Sequence, residues 1–377
     1  MSRKPRISDV ARRAKVSVGT VSHVLTGSAK VSAPRRLRVE RAIEALGYVP
    51  NFHAQGLRRN LSRIVGICFP HVSTAYLNEL SETLEEIASR DGYGVMHVFS
   101  RHDPATELDR VKELIRYRAD GLILFPSAAP GKALDFAHRK SVPLVVMDRP
   151  TQDARFDHVL LDNRKAMREV AERLIGYGHT RVLFVCRSRS RLVTQHRLQG
   201  LEAARRQAGR AIELHCVEFQ NDERFLRDEL ARILRQTAGP TAIVASNSHQ
   251  AALVLGFLRE LHIRCPEDAS VIGFDDSEWS RLVTPRLSVI RQPAVAMAQA
   301  AWDLLMQRVN GIEGPVRTIA LEAAIDLRES VAQPRESTRA SAEPASGDDP
   351  AKVIDARTSA VRRPAAGRAG SRRPRPR

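Results

Sequence analysis

Residues 7–25, ISDVARRAKVSVGTVSHVL, read as two short helices joined by a tight turn. Val10, Ala11 and Ala14 fall on one face of the first, Ile7–Ala14, with Ser8 available as its cap. Ser17 is a good N-cap for the second, in which Val21, Val24 and Leu25 repeat at i, i+3, i+4. The connector Lys15-Val16-Ser17 is as short as a helix-turn-helix requires. A third helix is expected after Ser32, with Val39, Ala42, Ile43 and Leu46 on one face and a stop at Gly47. These apolar residues make one small core and leave Val18, Gly19, Ser22 and His23 outside. If the module reads DNA, the second helix lies in the major groove and its first residues reach base edges. The hydroxyls of Ser17 and Thr20, with the helix N-terminus, then suit phosphate oxygens. The same three helices also fit a protein-interaction module.

Charge separates these readings. The chain has 377 residues and a net charge of +17. Residues 1–60 carry thirteen Lys/Arg against three Asp/Glu, a net of +10. Residues 331–377 carry eleven against five, a net of +6, so the middle is nearly neutral at +1. A merely soluble basic surface would not concentrate charge in this way. A basic head on a neutral body is the electrostatic footprint of a nucleic-acid binder.

Residues 61–330 alternate short apolar runs with helical stretches. Strands are expected at Ile64–Phe69, Gly94–Phe99, Gly121–Phe125, Leu144–Met147, Val182–Cys186, His215–Phe219, Ala242–Ala245, Ser270–Phe274 and Ser288–Ile290. Most are continuous apolar runs, the pattern of parallel strands covered on both faces. Helical stretches separate them, such as Leu77–Ser89, Thr106–Tyr117, Lys165–Tyr177, Arg197–Gln207, Arg224–Arg235 and Gln250–Leu261. Repeated βα units imply α/β, doubly wound sheets, and this length suits two lobes with a ligand crevice between them. Residues 331–377, rich in Pro, Ala, Ser, Gly and Arg, are expected to be a disordered basic tail.

The inventory argues against an enzyme. No Gly-x-Ser-x-Gly elbow, phosphate loop, HExxH or metal-spaced Cys/His cluster occurs, and no cofactor is called for. Asp275 and Asp276, adjacent at a strand end, should point to opposite sides rather than form an acid–base pair. The four cysteines form no CxxC pair and read as reduced thiols, with Cys68 and Cys186 in strand-like runs. No apolar run approaches a membrane span, and the basic start, Met1–Arg13, is not followed by the apolar stretch of a secretory signal. The expected location is the cytoplasm.

The stretch Asp9–Leu25 resembles the headpiece signature of the lactose/galactose repressor (LacI) family. Val31-Ser32, Ala42-Ile43 and Leu46-Gly47-Tyr48-Val49-Pro50-Asn51 continue the likeness, which runs to about residue 328. It implies a three-helix head at 1–50, a hinge helix at 51–61 and a two-lobe body at 62–330 like periplasmic sugar-binding proteins. The N-lobe would take about 62–160 plus 291–318, and the C-lobe about 161–290 plus 319–330. It implies a homodimer, or a pair of dimers, on pseudo-palindromic double-stranded operator DNA, joined through the helix Leu77–Ser89 and its neighbours. DNA contacts would come from Ser17, Val18, Gly19, Thr20, Ser22, His23, Lys30 and Ser32. Asn51, Ala54, Leu57 and Arg58 would act from the hinge, with Leu57 wedging a base step open. A sugar-like effector would lie between the lobes against Ser73, Tyr76, Asp148, Arg197, Asn247 and Asp275. The alternative is a small-molecule-binding protein without DNA regulation, and the intact basic head argues against it.

The chain also departs from the family pattern. His23 stands where an arginine is usual, and Gly19 has no side chain at a position that often reads sequence. Gly56 weakens an isolated hinge helix by about 1 kcal/mol relative to alanine. Asn247 is followed by Ser248 rather than an acid, and Ala166 replaces a frequent glycine. Arg187-Ser188-Arg189-Ser190-Arg191 places three arginines near the crevice mouth. They read most simply as a solvated loop, or alternatively as a seat for an anionic effector. Histidine lacks the bidentate fork of arginine, so either the operator omits the matching guanine contact or His23 touches phosphate. Selection of bound sites from random DNA should yield a half-site without that guanine. His23→Arg should restore it, and an unchanged preference would count against base reading by His23.

Overall fold

The computed structural model describes residues 5–26, 31–48, 61–71, 74–208, 212–236 and 238–335. The expectations for Lys30, Ser73, the hinge residues Asn51, Ala54, Gly56, Leu57 and Arg58, and the tail from 336 onward lie outside those residues.

The head comprises α1 (Ile7–Ala14), α2 (Val18–Thr26) and α3 (Ala33–Leu46). Val10, Ala11, Ala14, Val21, Val39 and Ala42 are buried together, with Val24, Leu25, Ile43 and Leu46 packed on their edge. Ser8 does not cap α1. Arg6 holds the N-cap conformation, Ser8 already lies in the first turn, and the Asp9 carboxylate accepts from the Arg6 N–H at 2.9 Å. That places negative charge at the positive end of the helix dipole. Ser17 does start α2, its Oγ accepting from the Thr20 N–H at 3.1 Å. Gly47, at φ 58°, closes α3 in the left-handed region that glycine enters without strain.

Two lobes follow. The N-lobe elements are β1 (Ile64–Phe69), α4 (Ala75–Arg90), β2 (Gly94–Phe99), α5 (Pro104–Arg116), β3 (Gly121–Leu124), α6 (Gly131–Arg139), β4 (Leu144–Met147) and β5 (Asp157–Leu161). Those of the C-lobe are α7 (Asn163–Gly176), β6 (Arg181–Cys186), α8 (Leu192–Gln207), β7 (Glu213–Glu218), α9 (Glu223–Leu234), β8 (Ala242–Ala245), α10 (Ser248–Glu260), β9 (Ser270–Phe274) and β10 (Ser288–Arg291). The chain then returns to the N-lobe with α11 (Ala294–Val309) and β11 (Thr318–Leu321), and ends in the C-lobe with β12 (Ala324–Asp326). The strand orders are β11-β5-β4-β3-β1-β2 and β12-β10-β9-β8-β6-β7. Every pairing is parallel except β10 with β12. The middle strands β3, β4, β8 and β9 are buried along their whole length, as their unbroken apolar sequences require.

Each sheet is covered on both faces. In the N-lobe, Leu80, Leu84 and Ile87 of α4 and Met297, Trp302 and Leu305 of α11 share one core. Val111 and Leu114 of α5 and Leu134 of α6 fill the other side. In the C-lobe, α7 and α8 cover one face and α9 and α10 the other. The outer face of α4, on the helix expected to join the dimer, exposes Glu79, Glu82, Glu85 and Glu86.

Three strands were not anticipated. β5 opens with Asp157 and His158, polar residues that interrupt the apolar run expected of a buried strand. Asp157 is buried because Arg308 reaches it from α11 at 2.8 and 3.1 Å and the Arg317 N–H at 2.7 Å. Burial alone would raise this carboxyl, but those bonds hold it below the ordinary carboxylate range. β11 and β12 are short edge strands, exposed at two of four and one of three residues, so neither shows an apolar run. β11 moves the last lobe boundary from 318 to beyond Leu321, since the Asp162 N–H donates to Leu321 O at 2.7 Å. Residues 331–335 belong to the C-lobe rather than to the tail expected from 331. Val331 is buried in the C-lobe core. Ala332 O lies 2.9 Å from His179 Nε2, and the Ala332 N–H donates to Ser270 Oγ at 3.1 Å.

At Gly200 of α8, a Cβ would lie 2.3 Å from Arg164 O and 2.9 Å from Met167 Cβ, so α7 and α8 cross where only glycine fits. Gly200→Ala should therefore cost about 1–3 kcal/mol of C-lobe stability. Urea denaturation checks this, and an unchanged midpoint would show that the crossing has slack.

Candidate functional site

On the head, Ser17, Val18, His23 and Ser32 are exposed, and Gly19, Thr20 and Ser22 are half-buried. The Ser17 and Thr20 hydroxyls lie 3.0 Å apart at the start of α2. A Cβ on Gly19 would meet nothing nearer than Ser17 Oγ at 3.7 Å, so the fold does not require glycine there. Around this surface Arg12, Arg13, Lys15, Arg35, Arg36, Arg38 and Arg41 are exposed. Arg12 lies 3.6 Å from the Asp9 carboxylate. The head thus offers a surface rich in cations and hydroxyls, suited to a phosphate backbone.

Between the lobes lies a cavity of about 580 Å³. Its walls are the segments following the carboxyl ends of β1, β2, β3, β4, β6, β8, β9 and β10, where a doubly wound sheet presents its loops. Tyr76, Asp148, Arg197, Asn247 and Asp275 all line it. Asp148 and Asp275 occupy matching places in the two sheets. Each follows the fourth strand of its lobe, at φ 70° and 68°. Each backbone N–H donates at 2.9 Å to the neighbouring strand, one to Val159 O and the other to Ile290 O. Left-handed backbone costs a residue with a Cβ roughly 1–2 kcal/mol, aspartate being among the better tolerated. Both carboxylates are turned into the cavity at that cost.

The buried charges are tightly organised. Arg197 donates from Nε to Asn163 Oδ1 at 2.7 Å and from Nη1 to Ser246 O, and its guanidinium lies 3.4 Å from the Phe274 ring centroid. Burial lowers its pKa to about 10, with Asp275 and Asp148 opposing, so it stays charged at neutral pH. Tyr76 donates to Asp148 Oδ1 at 3.2 Å. Burial first, and then the neighbouring carboxylates, push its hydroxyl well up. Gln292 Nε2 donates to Asp275 Oδ1 at 2.7 Å. Asp275 is nevertheless raised to about 6, because burial outweighs that bond and the attraction of Arg197. Asp276 faces away, as strand-end geometry requires. It bonds Arg328, Arg281 and Ser280, which overcome its burial and hold it well below the carboxylate range.

The Asn247 amide oxygen is already used, accepting from the Gln250 N–H at 2.8 Å to cap α10. Its NH₂ group and the second lone pair of that oxygen remain for a ligand. The arginine loop divides: Arg187 and Arg191 line the cavity and Arg189 does not. Sequence reasoning missed Gln292, Asn163 and the histidines His71 and His102. Asn163 looks like an ordinary first helical residue, and Gln292 lies in a crossover with no period. Their role appears only when tertiary structure brings Gln292 to Asp275 and Asn163 to Arg197. Among the described residues, no group of three or more His, Cys, Asp or Glu is placed to hold a metal. No described helix is long and apolar enough to cross a membrane.

Comparison with known proteins agrees with both parts. Residues 6–51 match the model for bacterial regulatory proteins of the lacI family, and residues 171–331 that for a periplasmic binding protein-like domain. A solved structure of the lac repressor dimer bound to operator and the anti-inducer ONPF shares the fold. Its TM-score is 0.76 at 24% identity, covering 88% of this chain and 100% of that one. A complex of the transcriptional regulator CelR with cellobiose matches at TM-score 0.62 and 26% identity, covering 87% and 100%. The HTH-type transcriptional regulator GalR of Escherichia coli (strain K12) is 31% identical over 329 residues, 87% of this chain and 96% of its own. With its head, its paired lobes and that extent of shared sequence, the chain belongs to the lacI family of bacterial regulatory proteins and is a DNA-binding transcription regulator.

Proposed function

We propose that the chain is a cytoplasmic repressor that grips a pseudo-palindromic operator as a homodimer. A sugar-like effector bound against Tyr76, Asp148, Arg197, Asn247 and Asp275 adjusts that grip. The supporting observation is the placement of Asp148 on one lobe and Asp275 with Arg197 on the other, all facing one cavity. Carboxylates accept from sugar hydroxyls and a guanidinium donates to them, so a polyol in the cavity bonds both lobes at once. Bonds to both lobes favour one relative orientation of the lobes. Above the N-lobe that orientation sets the separation of the paired heads. The coupling free energy for such a device is typically 1–3 kcal/mol and acts in both directions. In the head, α2 reads the major groove with Val18, Ser22 and His23 while Ser17, Thr20 and Ser32 hold phosphates. A salt-dependent gel shift with the selected half-site palindrome tests this reading. Specific retention should change five-fold or more on adding the cognate sugar. No preference over random competitor, with or without sugars, would sink it.

Asp275 supplies a second check. In the ligand-free protein its pKa of about 6 stands above the ordinary 3.8. The folded chain therefore binds more protons than the unfolded chain between those pH values, and stability falls as pH rises through that window. Above it, the charged form costs on the order of 2–3 kcal/mol. Asp275→Asn should raise the melting temperature at pH 7.5 and flatten its decline between pH 4 and 6. The same substitution should weaken sugar binding at least ten-fold by calorimetry, through loss of a charged acceptor. A variant that melts lower than the parent at pH 7.5, or binds sugar equally well, would contradict the role assigned to this carboxylate.

A further inference from the structure

We propose that the effector carries an anionic group, a carboxylate or a phosphate, seated among Arg149, Arg187 and Arg191 on one side of the interlobe cavity. The inference rests on the effector reading above and specifies the chemistry of that same site.

The charge inventory of the cavity leads to it. Four arginines line it: Arg149, Arg187, Arg191 and Arg197. Arg197 faces the attraction of Asp275 and Asp148. Arg149 lies 3.7 Å from Asp148, which is thereby shared between two cations. The other lining carboxylate, Asp153, is bonded at 2.8 and 2.5 Å by Arg155, which is not in the lining. Arg187 and Arg191 have no carboxylate partner among the described residues, although both face the same enclosed space. Burial, followed by repulsion from Arg149 and Arg187, depresses Arg191 to about 10. A merely solvated loop would leave that guanidinium in water. Instead three cations from two lobes converge there, and Asp148, the carboxylate beside Arg149, is already shared with Arg197.

The surroundings suit an oxyanion. Arg191 is the N-cap of α8 and makes no side-chain capping bond. The next three residues, Leu192, Val193 and Thr194, all line the cavity. Their N–H groups precede the first intrahelical bond and add the positive end of a sixteen-residue helix. Across the cleft, Arg149 Nη1 lies 3.0 Å from His102 Nδ1. Arginine only donates, so Nδ1 accepts and the ring proton rests on Nε2. His71 packs edge-on against His102 with centroids 4.8 Å apart. The pair adds polar, uncharged walls beside the cations. A neutral sugar could satisfy Asp148, Asp275 and Arg197 and would still leave this cluster self-repelling. An acid or phosphate group at one end of the sugar resolves both.

Thermal melts of the full-length chain at fixed ionic strength test the proposal, with inorganic phosphate, D-gluconate and D-glucose as separate probes. Phosphate, gluconate or both should raise the melting temperature by about 2 °C or more near saturation. The more effective of the two identifies the anionic group. The shift should vanish in R187Q/R191Q, which removes no described ion pair and should fold. Two results overturn the proposal: no shift with either anion, or a shift that persists in R187Q/R191Q and so arises elsewhere, such as the basic head. The parent reading fails separately, if no sugar of any charge alters operator retention in the gel shift.

Discussion

Burying a guanidinium is expensive unless its charge is answered nearby. Arg197 is answered by groups that do not all belong to its own lobe. Asn163, Ser246 and the Phe274 ring hold it within the C-lobe, while Asp148 acts on it from the N-lobe. Asp275 sits beside it with too little compensation to keep an ordinary pKa. The charges of the cavity wall thus answer one another across the gap between the lobes. On the function proposed above, effector hydroxyls bond both lobes, and the free energy released in doing so is available to select one arrangement of the lobes. The sheets, helices and crossovers serve to hold this set of charges in position across a gap.

The two lobes solve the same problem with the same parts. Strand orders match position for position, except for the direction of the final edge strand. The left-handed aspartates Asp148 and Asp275 are counterparts. Their strain is of the kind that persists only where surrounding hydrogen bonds over-determine the backbone, here through Val159 O and Ile290 O. The N-lobe counterpart nevertheless keeps its place by a different side-chain network. Asp148 is engaged by Tyr76 and Arg149, and Asp275 by Gln292.

The head was readable in advance because its code is local. Val10, Ala14, Val21 and Val39 announce a three-helix core, and Ser17 and Gly47 mark its punctuation. Buried parallel strands such as Leu144–Met147 and Ala242–Ala245 were equally plain, since burial on both faces leaves an unbroken apolar run. The edge strands were not. Thr318–Leu321 shows one side to solvent, and Asp157 enters a strand only because Arg308, 151 residues away, neutralises it. The cavity divided along the same line. Asp148, Arg197 and Asp275 stand at the ends of recognisable elements. Gln292 and His102 acquire meaning only through partners that tertiary structure supplies.

The chain passes between lobes three times, after Leu161, Arg291 and Leu321. Neither lobe is therefore a continuous stretch of polypeptide. On a translating ribosome, the N-lobe core formed by Leu80, Leu84 and Ile87 must wait for Met297, Trp302 and Leu305, which emerge only after the second lobe has been synthesised almost entirely. The C-lobe in turn lacks its last strand and Val331 until after β11 has joined its sheet. Both halves thus complete their cores near the end of synthesis, and until then the part of the Ala75–Arg90 face that packs on α11 has no cover. An intermediate with that face uncovered is prone to aggregate.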